Sequence, residues 1–305
     1  MLTLSARRLV FALPLLAALA ACGSPPRAAA PAEAPTAPQG VEAGFSGTIE
    51  ALDGLPLHVE ARVGPGPTLV FVHGWICRGS YWDAQVEAFG DDHGTVVLDL
   101  GGHGASGSVR AEWSFDVLAG DVVAVLDRLD LHDVILVGHS MGGPISLKVA
   151  AARPERVIGI VGVDSLHDAE FRWPEAMMEA FVEQLERDWQ GSMRQFLDQM
   201  FVDGTGPAAR RLLDDIPSMN KQAGIAIMRS YADLALDEDF QRCPVPVRCI
   251  NAAAPLVTHV DRNRGYLPGF GAVTVEGASH FLQMEDPGTF NALMENALDD
   301  LREER

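Results

Sequence analysis

Basic residues are scarce in this sequence. Its 305 residues include 23 Lys and Arg against 42 Asp and Glu, which gives a formal net charge of −19 at pH 7. Nucleic acids and anionic lipid surfaces attract clustered Lys and Arg side chains, so this shortage argues against electrostatic binding to either. A hydrophobic content of 48% is typical of a chain with a substantial core. We therefore expect a globular protein with no nucleic-acid partner.

Cysteine is also rare, and its number limits what it can do. Besides Cys22 the chain has Cys77, Cys243 and Cys249, so at least one thiol stays unpaired even in an oxidising compartment. Cys249 lies in an apolar run typical of a strand, which favours buried free thiols over a Cys243–Cys249 disulfide. The Cys and His residues lack the spacing of metal ligands. No metal, nucleotide or organic cofactor is predicted.

Long apolar runs are absent except at the N-terminus. Two Arg residues precede the run Leu9–Ala21, which is too short to span a bilayer comfortably and has the order of a secretory signal. Residues 1–21 are therefore predicted to be a signal peptide. Residues 22–44 are rich in Pro, Ala and small polar residues, with too few large apolar side chains to build a core. We predict that this segment is an extended tether.

The residues around Cys22 resemble a known processing site. Leu19-Ala20-Ala21-Cys22 is similar to the bacterial lipobox, in which the chain is cut before the Cys and that Cys carries the lipid. The resemblance implies a lipoprotein held by Cys22 on a membrane of the bacterial envelope, on its periplasmic or extracellular face. An ordinary secretory signal cut nearby is the alternative.

From residue 45 onward, strand patterns alternate with helical patterns. Gly47–Leu52 and Leu57–Val63 flank Asp53-Gly54, a sequence that predicts an antiparallel hairpin. Helices are predicted after Ser114 and from Asp286, the latter with Pro at its first position. This alternation predicts an α/β fold with a mostly parallel central sheet covered by helices on both faces. Six further apolar runs predict its strands: Thr68–Val72, Val96–Leu100, Val134–Val137, Val157–Val163, Val245–Ile250 and Ala272–Val275.

The alternation stops between about Leu166 and Gln241. Only helical patterns occur there, including Pro174–Trp189, with Met177, Phe181 and Leu185 on one face. Packing between these helices is predicted for apolar side chains such as Phe171, Trp173, Met177, Met178 and Phe181, with contact to an apolar acyl or alcohol group as the alternative. Helices inserted between two strands of a parallel sheet would form a lid over the strand ends, where active sites of such sheets lie. The predicted organisation is a core of residues 45–165 and 242–305 and a helical lid of residues 166–241.

A candidate nucleophile lies at one strand-to-helix turn. Gly138-His139-Ser140-Met141-Gly142 follows the strand Val134–Val137 and precedes the helical run Pro144–Ala152. This is the context that a G-x-S-x-G nucleophile elbow requires. The pattern alone is weak, and an ordinary Gly-rich turn is the alternative. The context favours Ser140 as a nucleophile.

Four motifs in this order resemble the α/β-hydrolase family, and the resemblance extends from about residue 46 to residue 303. It implies the α/β-hydrolase fold and the activity of a serine hydrolase without a cofactor. The dehalogenase and epoxide hydrolase relatives use Asp as nucleophile, so a Ser at position 140 argues against those chemistries. The motifs are His73-Gly74-Trp75, Asp99 with Gly102-His103-Gly104-Ala105-Ser106, Gly138 to Gly143, and Gly277-Ala278-Ser279-His280.

The resemblance also implies roles for individual residues. His280 follows the last predicted strand, where the family keeps the general base that takes the proton of the serine. The backbone N–H groups of Trp75 and Met141 correspond to the oxyanion hole, which stabilises the negative oxygen of the tetrahedral intermediate. The side chain of Trp75 could equally form a wall of the acyl pocket.

The acid that orients His280 departs from the commonest family pattern. The family usually has an Asp after the strand that corresponds to Val245–Ile250, but this chain has Asn251-Ala252-Ala253-Ala254-Pro255 there. Some members carry the acid after the preceding strand, and Asp164 directly follows Val157–Val163. Asp164 is therefore the predicted acid, with Asp261 as the next candidate and no functional acid as the third possibility. A turn or N-cap residue is the structural alternative for Asp164.

These features predict a carboxylic-ester hydrolase of the two-step acyl-enzyme type. A small-molecule substrate with an ester, lactone or similar acyl bond would be attacked by Ser140. Other chemistries of the same fold remain open, namely carbon–carbon bond hydrolysis and cofactor-free peroxidation. A non-catalytic, lipid-anchored binding protein is a further alternative because of the missing carboxylate near Ala254. The sequence leaves the substrate and the oligomeric state open.

Overall fold

Eight strands form one sheet in the computed structural model, which describes residues 44–202 and 204–304. Their order is β1-β2-β4-β3-β5-β6-β7-β8; β1 pairs antiparallel with β2, β2 pairs antiparallel with β4, and all other pairs are parallel. The prediction of a mostly parallel sheet is confirmed. The strands are β1 Phe45–Glu50, β2 Pro56–Arg62, β3 Gly66–Val72, β4 His93–Leu98, β5 Val134–His139, β6 Val157–Val163, β7 Val247–Ala252 and β8 Phe270–Val275.

Two local details of the sheet differ from the prediction. The β1–β2 hairpin closes through five residues, because the last pair is Glu50 with Pro56 and Asp53-Gly54 lies inside the connection. β7 begins at Val247, two residues later than predicted, because Pro246 has no N–H to donate to a neighbouring strand. β7 then continues to Ala252, so its end lies beside the end of β6.

Six helices belong to the alternating α/β part of the chain. Two of them begin as predicted: the side chain of Ser114 accepts the N–H of Val117, and the side chain of Asp286 accepts the N–H of Thr289. Within the described residues, no helix is both long enough and apolar enough to cross a bilayer. The helices are α1 Asp83–Phe89, α2 Phe115–Arg128, α3 Gly142–Ala152, α9 Val260–Tyr266, α10 Leu282–Glu285 and α11 Pro287–Glu303.

The segment between β6 and β7 is helical. The predicted helix Pro174–Trp189 ends at Arg187, and Trp189 starts the next one. The predicted packing is wrong for Met177, which is 57% exposed, and correct for Met178, which is buried. Phe171 and Trp173 are partly exposed, at 38% each, and their rings contact each other. The helices of this segment are α4 Glu175–Arg187, α5 Trp189–Asp198, α6 Pro207–Asp215, α7 Lys221–Ser230 and α8 Leu236–Arg242.

The core lies on both faces of the sheet. Alternate residues of β3 belong to different apolar clusters: Val70 packs in the cluster that includes Leu118 of α2, while Phe71 packs with Phe290 of α11. The first cluster continues into the helices between β6 and β7 through buried residues such as Leu185. Burial of strands on two faces explains their continuous apolar sequences. As predicted, three cysteines of the described residues are buried free thiols: Cys77, Cys243 and Cys249.

Candidate active site

Ser140 lies in a tight turn between β5 and α3. Its φ of +51° is in the left-handed region, and its N–H donates to the carbonyl of Val163 at 3.0 Å. The turn needs small neighbours: a Cβ on Gly138 would lie 2.4 Å from the carbonyl oxygen of Gly142, and one on Gly142 would lie 2.2 Å from that of Val72. The strand–turn–helix geometry of a nucleophile elbow is therefore present.

Backbone strain is concentrated in the loops around this turn. Four non-glycine residues have positive φ there: Ile76 (+56°) after β3, Ser140 (+51°) after β5, and Asp164 (+41°) and Leu166 (+54°) after β6. Such conformations cost of order 1–3 kcal/mol each and persist only where the surrounding structure enforces them. The loops that carry these residues follow the carboxyl ends of adjacent parallel strands, which is where ligands bind in open α/β sheets.

His280 lies between β8 and α10 and is held on both its backbone and its side chain. Its Nδ1 is 2.5 Å from Oδ2 of Asp164, so the imidazole donates to the carboxylate. Its backbone N–H donates to the carbonyl of Met200 at 3.2 Å, and its own carbonyl accepts from Nε2 of His139 at 2.8 Å. The rings of His139 and His280 are 4.7 Å apart. His139 thus joins the serine turn to the histidine loop.

Asp164 is the acid that the structure brings to His280. It ends β6, its N–H donates to the carbonyl of Ile250, and its Oδ1 accepts the N–H of Ala252 at 2.9 Å. Burial raises the pKa of this carboxyl, but the His167 and His280 side chains beside it outweigh burial and hold the pKa well below its usual value. Asp164 is therefore an ionised acceptor at neutral pH.

The two other features considered for the acid lie apart from this contact. Asp261 is exposed on the first turn of α9. At the end of β7, where the family usually has its acid, the buried side chain of Asn251 bridges to β6: its Oδ1 accepts the N–H of Ser165 at 3.1 Å and its Nδ2 donates to the carbonyl of Ser165 at 3.0 Å. Asn251 therefore stabilises the loop that carries Asp164.

Two backbone N–H groups are available near the serine. Among residues 44–202 and 204–304, neither Trp75 nor Met141 donates its backbone N–H to a protein acceptor, although both residues are buried. Buried unpaired N–H groups are rare and suggest a role in binding. The Trp75 loop is close to the nucleophile, since a Cβ on Gly74 would lie 3.2 Å from Cβ of Ser140. This arrangement fits an oxyanion hole.

The side chain of Trp75 has a second, structural role. Its Nε1 donates to the carbonyl of Gly224 in α7 at 2.8 Å. Its ring makes edge contacts with three aromatic rings of α4 and α5, at centroid distances of 5.6 to 6.2 Å: Phe181, Trp189 and Phe196. Trp75 therefore connects the loop after β3 to the helices between β6 and β7, so that its backbone and its side chain serve different purposes.

The chain after α5 lies against the His280 loop. Besides the bond from His280 to Met200, the ring of Phe201 stacks on that of Phe281 at 4.8 Å, with an interplanar angle of 14°. These contacts tie the helical segment to the residue next to His280.

Sequence reasoning missed two residues of this site, His139 and Asn251. His139 occupies the variable position of the G-x-S-x-G pattern, yet burial lowers its pKa to about 3, so its neutral ring donates from Nε2 to the His280 loop. Asn251 was noted only as the lack of a carboxylate. A polar residue in the apolar strand β7 was the available signal, because buried amides need partners.

Comparison with known proteins agrees with this fold. Residues 67–221 match the family model described as alpha/beta hydrolase fold. The chain belongs to the α/β-hydrolase family. An esterase from Exiguobacterium antarcticum has the same fold, with a TM-score of 0.76 at 18% identity over 84% of this chain and 100% of that one.

Two curated relatives illustrate the range of the family. The chain is 25% identical over 255 residues to 3-oxoadipate enol-lactonase 2 of Acinetobacter baylyi, which covers 82% of this chain and 96% of that protein. It is 31% identical over 185 residues to the dihydrolipoyllysine-residue acetyltransferase component of the acetoin cleaving system of Pseudomonas putida, covering 58% of this chain. The chain spans about half the length of this second relative, 47%. The family model and the relative named as an enol-lactonase indicate a hydrolase in the broad sense.

Proposed function

We propose that the protein is a serine hydrolase that cleaves an ester, lactone or similar acyl bond of a small molecule through an acyl-enzyme on Ser140. The observation that carries the proposal is the 2.5 Å contact between His280 Nδ1 and Asp164 Oδ2. An imidazole oriented in this way has its Nε2 free to take a proton from a serine hydroxyl. The relative matched over 96% of its length is named as an enol-lactonase, which supports this reaction class.

The first half of the reaction forms the acyl-enzyme. Ser140 Oγ attacks the carbonyl carbon while Nε2 of His280 takes the hydroxyl proton. The carbonyl oxygen becomes negative and accepts the N–H groups of Trp75 and Met141. The tetrahedral intermediate then expels the alcohol oxygen, which receives the proton from His280. Asp164 stays ionised throughout and stabilises the charged imidazole.

The second half repeats these steps with water. His280 takes a proton from a water molecule, whose oxygen attacks the acyl carbon of the ester on Ser140. Collapse of the second intermediate releases the carboxylic acid and returns the proton to Ser140. With a lactone, the alcohol and the acid are parts of one product. The mechanism needs no metal or organic cofactor.

Turnover of p-nitrophenyl acetate and butyrate tests the proposal. We expect hydrolysis that disappears in Ser140→Ala and persists in Ser108→Ala, the control at an exposed serine. A fluorophosphonate probe, which reacts with activated serines, should label the parent protein and leave Ser140→Ala unlabelled. If the parent protein shows neither turnover nor labelling, it is a binding protein on the same fold instead.

We also propose that Cys22 carries a lipid that anchors the protein to an envelope membrane. The proposal is supported by Leu19-Ala20-Ala21-Cys22 and by the preceding apolar run; these residues lie outside the described part of the chain. A single lipid chain gives marginal membrane binding, and several chains give stable binding. Cells expressing the full chain should incorporate labelled palmitate into the protein, and Cys22→Ser should abolish incorporation. Equal labelling of both proteins would exclude Cys22 as the lipid site.

A further inference from the structure

The carboxylate of Asp164 is close to a second histidine. His167, three residues later, has its Nε2 3.5 Å from Asp164 Oδ1, on the opposite oxygen from the one that His280 contacts. The side chain of His167 is 11% exposed. No residue in the described ranges gives this Nε2 a hydrogen bond of normal geometry, and the Asp164 carboxylate is the acidic group within 4 Å of it. Buried donors without an acceptor are costly, which makes this arrangement significant.

A chain of hydrogen bonds determines which nitrogen of His167 carries the proton. The backbone of Ser165 fixes the Asn251 amide, as described above, so Nδ2 is the donor end of that side chain. Its second N–H donates to Oγ1 of Thr258 at 2.9 Å. Thr258 thus accepts from Asn251 and has its own hydroxyl proton left to donate to Nδ1 of His167 at 3.1 Å.

The neutral His167 ring is therefore protonated on Nε2. An imidazole that accepts at Nδ1 must carry its proton on the other nitrogen. Nδ2 of Asn251 also lies 3.4 Å from Nδ1 of His167, but its two N–H groups are already donated to Ser165 and Thr258. The protonated Nε2 is the ring nitrogen on the Asp164 side, 3.5 Å from Oδ1. Four side chains, Asn251, Thr258, His167 and Asp164, form a polar relay that ends at His280.

We propose that His167 is a positioning residue that donates from Nε2 to Asp164 and so holds the carboxylate in the orientation that His280 needs. The inference rests on the proposed hydrolase function, since it assigns a partner to the acid of that site. The acid of this site follows β6 rather than β7. The relay holds it in place at this position.

Two substitutions at His167 distinguish the loss of its hydrogen-bond donor from a change in side-chain shape. His167→Gln keeps an N–H donor at about the same distance from the backbone, and His167→Leu removes it. We expect His167→Leu to lower kcat by roughly 10- to 100-fold with little change in KM, since a hydrogen bond to a charged group is lost. His167→Gln should retain most of the parent kcat. Equal kcat values for the two variants would overturn the proposal.

The pH dependence of kcat/KM provides a second measurement. A loss of packing alone would not change the pH at which kcat/KM falls. Without the His167 donor, the negative charge of Asp164 acts more fully on His280, so the acid limb should move to higher pH in His167→Leu. It should stay in place in His167→Gln. The other charged groups near His167 are Asp168 with its partners Arg262 and His259, and both variants retain them.

Thr258 offers a second test if His167→Leu fails to fold. Thr258→Val removes the hydroxyl that fixes the proton on Nε2, whereas Thr258→Ser keeps it. We expect a lower kcat only for Thr258→Val; equal kcat values for both would contradict the relay. Ser140→Ala, measured in the same experiment, separates the two proposals. If turnover depends on Ser140 but does not change with substitutions at His167 and Thr258, only the positioning role is refuted. Turnover that is independent of Ser140 refutes the hydrolase mechanism itself.

Discussion

Nδ1 of His280 lies 2.5 Å from Oδ2 of Asp164, although 116 residues separate them in the chain. The contact exists because β6 and β7 are adjacent parallel strands with Val163 opposite Ile250. The end of β6 therefore lies next to the end of β7, where the family usually has its acid. A carboxylate can therefore follow β6 instead of β7 in the sequence and still reach the same histidine.

Asp164→Asn should lower kcat sharply. The amide has no negative charge to stabilise the His280 imidazolium, and it can present an N–H to Nδ1, which favours the wrong tautomer. We expect a loss of about 10²- to 10⁴-fold in kcat with a modest change in KM. Steady-state kinetics on p-nitrophenyl butyrate measures the loss. Asp261→Asn is the matched control, and a comparable loss in that exposed variant would show that Asp164 is not the acid.

Gly74→Ala should damage the site by crowding. The added Cβ would lie 2.9 Å from Nδ1 of His139 and 3.2 Å from Cβ of Ser140, so the Trp75 loop must move away from the serine. We expect kcat to fall by about 10- to 1000-fold, the range for losing an oxyanion donor or a substrate position. Gly120→Ala in α2 is the control, because its Cβ meets only Leu52 at 3.8 Å. It should keep full activity and stabilise the fold by about 0.5–1 kcal/mol.

Acid should destabilise the protein through its buried histidines. Burial lowers the pKa of His103 and of His139 to about 3, and it also lowers the pKa of His73. Between about pH 6.5 and pH 3 the unfolded chain binds protons that the folded rings of His103 and His139 do not. The free energy of unfolding should therefore fall as pH falls, by about 1 kcal/mol per pH unit for each of these two histidines.

Urea denaturation at pH 6.5, 5.5 and 4.5 measures this slope. His103→Gln removes one of the contributing rings and should reduce the slope by about 1 kcal/mol per pH unit. Identical slopes in the parent protein and the variant would mean that other groups cause the acid sensitivity.

Trp75→Phe should loosen the helices between β6 and β7. The backbone N–H at position 75 remains, but the indole bond to the Gly224 carbonyl is lost, at a cost of about 0.5–1.5 kcal/mol. Faster limited proteolysis of α4 to α7 and a lower melting temperature are the expected results. The altered helices should change KM more than kcat. An unchanged proteolysis pattern would show that the indole bond does not hold this segment.

Local signals in the sequence predicted much of this fold. β6 has the predicted bounds Val157–Val163, and the caps at Ser114 and Asp286 form as expected. In each case the cause lies within a few residues: a continuous apolar run, or a side-chain oxygen three residues before a free N–H. The face of α4 was harder, because Met177 and Met178 are equally apolar and only packing selects Met178.

The polar relay behind Asp164 was beyond prediction from the sequence. Asn251, Thr258 and His167 come from two separate loops, and their hydrogen bonds depend on the β6–β7 register and on the path of both loops. Residue spacing gives no measure of such contacts. Ser140, His280 and Asp164 could be named because motifs and strand ends mark them, whereas the residues that hold them have no motif of their own.

The left-handed residue at Ser140 also bears on how this protein can change over time. Glycine at that position would relieve the turn, because it adopts positive φ without penalty. Ser140→Gly should therefore melt at a higher temperature while losing the proposed hydrolytic activity. Selection for folding alone would favour glycine over serine at this position.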